Sequence, residues 1–177
     1  MSMYSVLVFL HIVGALGLFA SIALEQASLA GLRRASTGAQ VREWMGVIRG
    51  LGRLHGPAAL LILATGFYFV ATRWGQQAWI GLAIVGMVVM AILGAGVTGR
   101  RMKAIGLELS AVTGPIPVGV RRRLDDPVLR MSAMLRAALG LGIVFNMAVK
   151  PAAGGALAAL GVAVVVGVLA AIRGRAR

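Results

Sequence analysis

Five apolar runs, at about residues 4–24, 56–72, 78–98, 133–149 and 153–172, are separated by polar and basic stretches. A bilayer core about 30 Å thick takes roughly 20 apolar residues per helix, so each run is long enough to cross once the two shorter ones borrow flanking residues. The pattern predicts an all-α integral membrane protein. It is read as a bundle of five transmembrane helices in a single domain, with four as the alternative count. Polar residues inside the runs recur at helical spacing. In the first run His11, Gly14, Leu18, Ser21, Glu25 and Ser28 fall within a stripe roughly 100° wide, and in the fourth Ser132, Arg136, Leu139, Ile143, Asn146 and Lys150 fall within roughly 80°. Polar groups are costly in lipid, so both stripes are expected to face protein.

Depth divides these residues into two groups. At about 1.5 Å per residue from the outer ends, His11 lies roughly 10 Å down and Asn146 roughly 6 Å, with Lys150 at the helix end. These three form an expected outer polar site. Arg136, His55 and Glu25 fall at roughly 21, 25 and 31 Å, within reach of one long arginine, and form an expected inner site. A relay for protons or ions, or an anchor for a lipid, quinone or anionic ligand, would use such a cluster. The structural alternative is that Glu25 and Arg136 neutralise one another and hold the helices together.

Composition strengthens the membrane reading: 59% of the 177 residues are apolar, 13% are charged and the mean hydropathy is +0.91. The net charge of +13 raises nucleic acid as a partner, but its distribution points elsewhere. Arg33, Arg34, Arg42, Arg49 and Arg53 follow the first run, Arg100, Arg101, Lys103, Arg121, Arg122, Arg123 and Arg130 follow the third, and Arg173, Arg175 and Arg177 follow the fifth. Only Arg73 and Lys150 lie in the alternate connections. That asymmetry predicts an outside N-terminus and a cytoplasmic C-terminus. The same cations suit anionic lipid headgroups, and the connections lack the aromatic or groove-reading elements of a nucleic-acid site. No basic residue precedes the first run and its positive charges follow it, so it is read as a retained helix rather than a signal peptide.

Three features invite chemical readings. Gly94, Gly96 and Gly99 spell a G-x-G-x-x-G, but no strand precedes them and no acidic residue follows at the ribose-binding distance, so close helix packing is the better reading. The pairs Gly14 and Gly17, Gly46 and Gly50, and Gly52 and Gly56 are expected to serve the same end. His11 and His55 raise haem, yet their depths differ by about 15 Å, too much for one iron. Met87, Met90, Met131 and Met134 would with imidazole suit Cu(I), although thioethers also fill cores. No cofactor or metal site is therefore assigned, with haem or copper as the alternative, and no nucleophile, base and acid constellation suggests an enzyme. In the segment before the fourth run, Gly114–Pro117 should break the chain, residues 118–124 should lie as an amphipathic turn on headgroups, and Asp126 should cap a helix that has Pro127 at its first position.

FLHIVGALGLF at residues 9–19, HGPAALLILATGFYF at 55–69 and FNMAVKP at 145–151 resemble a widespread group of small bacterial integral membrane proteins of unknown function. More distantly, the helix-one histidine with its small-residue face is similar to the copper-resistance D family. The resemblance covers roughly residues 4–151 and implies a multi-pass protein of the bacterial inner membrane. The expected role is non-enzymatic: an accessory subunit of a larger membrane complex, or a small homo-oligomer, with an internal polar site. The alternatives are a small transporter of protons, metal ions or a small solute, and a redox module holding haem or quinone.

Overall fold

The structure is a computed structural model that describes residues 2–109 and 114–173. Its helices are α1 (Met3–Arg34), α2 (Gly38–Phe69), α3 (Ala78–Ala91), α4 (Arg100–Leu109), α5 (Val118–Leu124), α6 (Pro127–Val149) and α7 (Ala153–Arg173). A π-helical turn, Val70–Trp74, ends α2, and a longer π segment, Ile92–Gly99, joins α3 to α4 as one continuous rod. Five of the resulting rods are long and apolar enough to cross a membrane. The all-α bundle expected from the periodicity is present, and the chain is a multi-pass membrane protein.

The rods are much longer than the apolar runs that announce them. α1 has 32 residues and spans about 48 Å, well beyond a hydrocarbon core of about 30 Å. α1 and α2 continue through the basic stretch expected to be a loop, leaving only Ala35–Thr37 between them. The excess gathers at the basic end. There Leu29, Leu32, Val41, Met45, Met102, Ile105, Leu109, Val120, Leu124 and Leu129 bury one another in a core distinct from that of the apolar layer. The arginines decorate the outside of this second core. Its residues recur every three or four positions, the spacing of a soluble helix packed on one face. α5 belongs to this layer: Val120 and Leu124 are each 2% exposed, so the segment packs on protein rather than lying on headgroups.

Local signals fix the ends. Asp126 caps α6 by accepting from the Val128 N–H at 2.8 Å, and Pro127 occupies the first turn, where its missing N–H costs nothing. Gly38 N–H donates to Gly114 O and Thr37 pairs with Pro115, tying the α1–α2 turn to the segment before α5. At the opposite, aromatic end, α6 stops at Lys150, which adopts a left-handed conformation at φ 53° before Pro151.

Two subassemblies emerge. α1 and α2 pack along their lengths as a hairpin, while α6 packs on α7, on α3 and on the π segment; α1 meets α6 between them. Gly14 and Gly17 permit the hairpin, since a Cβ on Gly14 would lie 3.1 Å from Ala58 O and one on Gly17 would lie 3.2 Å from Ala58 Cβ. Gly46, Gly50, Gly52 and Gly56 do not serve this purpose. A Cβ on any of the four would meet open space. α2 and α3 follow one another in the chain but pack on different partners, which leaves a groove between them.

Candidate functional site

The α1–α6 contact carries the inner site. Arg136 is 4% exposed and its guanidinium makes a two-pronged contact with Glu25, Nη1 to Oε2 at 2.7 Å and Nη2 to Oε1 at 2.5 Å. Both carboxylate oxygens are engaged, as bidentate pairing requires. Nη2 also donates to Thr98 Oγ1 at 3.3 Å, and Thr98 exchanges a 2.9 Å hydrogen bond with Ser132 one turn before Arg136. The expected meeting of the two polar stripes is thus realised through these charged residues.

The π segment explains how so bulky a group fits. Gly94 lies beside the guanidinium: a Cβ there would stand 3.5 Å from Arg136 Nη1 and 3.6 Å from its Cδ. The wider helix also departs from α-helical bonding, and Leu93 O accepts from Ser132 Oγ at 2.9 Å. The glycines of G-x-G-x-x-G therefore lie within a continuous helical rod, Gly94 alone beside the arginine, with no phosphate-binding turn. The sequence offered their number and spacing, but not the π winding that sets Gly94 against Arg136.

His55 stands next to this pair rather than in it. Its Nδ1 lies 3.0 Å from Ser21 Oγ, and it is within electrostatic reach of both Arg136 and Glu25. Ser21 donates its own hydrogen to Leu18 O at 2.7 Å, so Ser21 accepts from His55 Nδ1–H. The same arrangement recurs at His11. Thr65 donates to Leu61 O at 2.6 Å and stands 2.7 Å from His11 Nδ1, which assigns the ring proton to Nδ1. In each neutral ring Nε2 then carries no proton and can only accept. Both bonds cross the α1–α2 hairpin, one toward its open end and one near its middle, and the histidines, bonded ten residues apart along α1, are separated by about 15 Å of helix. They do not share a metal or haem. Among the described residues no three His, Cys, Asp or Glu side chains gather as metal ligands.

The expected outer site divides. His11 and Lys150 line one cavity of about 170 Å³ together with Tyr4, Phe69, Trp74 and Trp79. Lys150 Nζ lies 4.6 Å from the centroid of the Trp74 ring, and Arg73 sits over Tyr4 at 5.4 Å. The Trp74 and Trp79 rings meet edge to face at 5.7 Å around the short turn between α2 and α3, the placement of an aromatic belt. Asn146 is elsewhere. Fully buried, it turns to the last helix and donates to Ala156 O at 3.3 Å, leaving its Oδ1 without a partner among the described residues. Its position on the α6 stripe is correct, but a stripe 80° wide spans the directions of both α1 and α7, and spacing does not choose between them.

Sequence reasoning missed Thr98 and Thr65, the residues that orient Arg136 and His11. Each stands in a stretch of otherwise apolar residues and glycine, LLILATGF and ILGAGVTG, which offers no second polar position to draw a stripe. Compared with known protein families, with curated proteins and with solved structures, the chain matches none.

Proposed function

We propose that this chain is a non-enzymatic protein of the bacterial inner membrane that works by association, as an accessory subunit of a membrane complex or as a small homo-oligomer. Its N-terminus lies outside and its C-terminus in the cytoplasm, its basic end is set among anionic lipid headgroups, and its internal polar site holds the two subassemblies together. The Lys and Arg asymmetry supports that orientation. The motifs at residues 9–19, 55–69 and 145–151 support the bacterial setting.

One observation carries the reading. Between α6 and α7 a cavity of about 500 Å³ opens toward lipid, lined by Ala138, Gly142, Gly155, Ala158, Ala159 and Ala163 along with larger apolar residues. In lipid, where apolar surface gains little from mere burial, small residues favour helix association by letting backbones approach closely. The Glu25–Arg136 pair fits the same picture, because a carboxylate with both oxygens engaged acts first as a fastener.

Disulfide trapping tests this cleanly, since the chain has no cysteine of its own. Ala159→Cys and Val162→Cys variants, oxidised in native membranes, are expected to give a cross-linked dimer or a cross-link to a partner subunit. A chain that stays monomeric at both positions, while detergent-purified protein also weighs in as a monomer, removes the proposal. A second reading, a small transporter relaying protons, draws on His55. This residue lines a cavity of about 170 Å³ and lies beside the ion pair. Proton uptake into vesicles that disappears with His55→Phe would favour it.

A further inference from the structure

We propose that the groove between α2 and α3 binds a lipid-soluble hydroquinone, with its ring at His11 and Lys150 and its apolar tail running along the groove toward His55. This goes beyond association, and no electron transfer is assigned to the site.

The ring end has a distinctive chemistry. Thr65 commits its hydroxyl proton to Leu61 O and takes the Nδ1 proton of His11, so Nε2 is left as an acceptor on a ring that lines the cavity together with residues of α2, α3 and the end of α6. A bare acceptor in an apolar wall calls for a donor, and the hydroxyl of a phenolic ring is one that lipid can deliver. Lys150 and Arg73 lie at the same end, while all five acidic residues of the chain, Glu25, Glu43, Glu108, Asp125 and Asp126, lie toward the other. The cavity therefore favours an electron-rich ring whose second oxygen faces a cation. Its volume, about 170 Å³, suits one substituted six-membered ring, as an apolar cavity of about 150 Å³ holds benzene. Trp74, Trp79, Phe69 and Tyr4 supply faces and edges for it.

The tail end follows from the packing. Because α2 and α3 lean on different partners, the ring cavity continues past His11 into a smaller one of about 40 Å³ between Leu63, Ile84 and Met87. Those three residues also line the cavity at His55. The path is apolar between the histidines and about 15 Å long, which suits a hydrocarbon tail and excludes a charged solute. A diacyl phospholipid is a poorer fit, since two acyl chains would have to share the one narrow path past His11, where the cavity is only about 40 Å³.

The test compares two oxidation states of one probe. Tryptophan emission of the full-length protein in mild detergent is titrated with decylubiquinol, kept reduced under argon, and with decylubiquinone. The reduced ring can donate to Nε2 and the oxidised ring cannot. The dissociation constant for decylubiquinol is expected to be about tenfold lower, the worth of one buried hydrogen bond. His11→Phe, which keeps a ring but no acceptor, should erase the preference. Thr65→Val, which frees the imidazole to change tautomer, should reduce it to less than threefold. Equal constants for the two forms in the unaltered protein overturn the proposal, and so does displacement of decylubiquinol by dihexanoyl phosphatidylglycerol at similar concentration. If His11→Phe fails to fold, the oxidation-state comparison and Thr65→Val still decide.

Discussion

Arg33 and Arg121 cap each other's helices. The Arg121 guanidinium donates to Arg33 O at 2.7 Å and to Ala35 O at the end of α1, while Arg33 Nε donates to Leu124 O at the end of α5 at 3.3 Å. Helix C-termini carry unpaired carbonyls and partial negative charge, so a cation at each is favourable twice over. The exchange fastens the short α5 to the long α1 and closes the second core on that side.

Arg121→Gln is accordingly expected to destabilise the protein by about 1.5 to 3 kcal/mol, the range for hydrogen bonds to charged groups. Arg122→Gln, at the exposed neighbouring position, should fall within about 0.5 kcal/mol of the unaltered protein. Thermal unfolding in detergent separates the two. Similar losses at both positions would mean that net charge, rather than the cap, is being measured.

Removing one partner of a buried ion pair costs about 3 to 5 kcal/mol, because the other charge is left behind. Glu25→Gln and Arg136→Gln should each lower stability by an amount of that order, and the double variant should lose much less than the sum. The charge-reversed pair, Glu25→Arg with Arg136→Glu, should recover part of the loss. A cycle that closes additively would show that the two residues are not coupled.

The glycines divide by what surrounds them. A Cβ on Gly31 would fall against the indole ring of Trp44 on the facing helix, whereas one on Gly46 meets nothing within 4 Å. Gly31→Ala should destabilise by about 1 to 3 kcal/mol through forced repacking. Gly46→Ala should stabilise by up to about 1 kcal/mol, since alanine is the better helix former. Gly94→Leu should displace the Arg136 guanidinium and mimic the loss of the ion pair. Melting temperatures of the three variants, read side by side, check the ordering.

A reporter fused after Arg177 should read as cytoplasmic and one inserted at Gly75 as periplasmic, because 16 of the 18 basic residues lie on or toward one side. The opposite reading would invert the orientation proposed for the chain.

What the sequence disclosed follows what lipid penalises. Glu25 and Arg136 are both expensive alone in an apolar layer, so their stripes had to find each other, and their spacing revealed which faces would meet. The second core escaped notice for the converse reason. Outside the apolar layer arginines carry no penalty, so Leu29, Leu32, Val41 and Met45 look like loop residues among charges, although their spacing is that of a packed helix. Asn146 shows a further limit. Its depth and stripe were legible, but the choice of neighbour depends on how α7 folds back after Lys150, which no local signal encodes.

The π segment acts as a phase adjuster for the rod that runs from Ala78 to Leu109. Before it, Ala83, Gly86 and Met90 face inward; after it, Met102, Ile105 and Leu109 do the same. At 100° per residue an unbroken α-helix would accumulate a drift of about 80° between Ala83 and Leu109, enough to turn the second set toward solvent. Winding residues 92–99 more loosely takes up that drift, and one rod serves both cores, the apolar-layer core through Met90 and the basic-end core through Met102, Ile105 and Leu109. The length of this stretch is therefore constrained more tightly than its composition. Deleting one residue from it would swing everything beyond by roughly 100°, carrying Arg101 off Asp126 and Met102 out of the basic-end core, while conservative exchanges at Ala95 or Val97 leave the phase untouched.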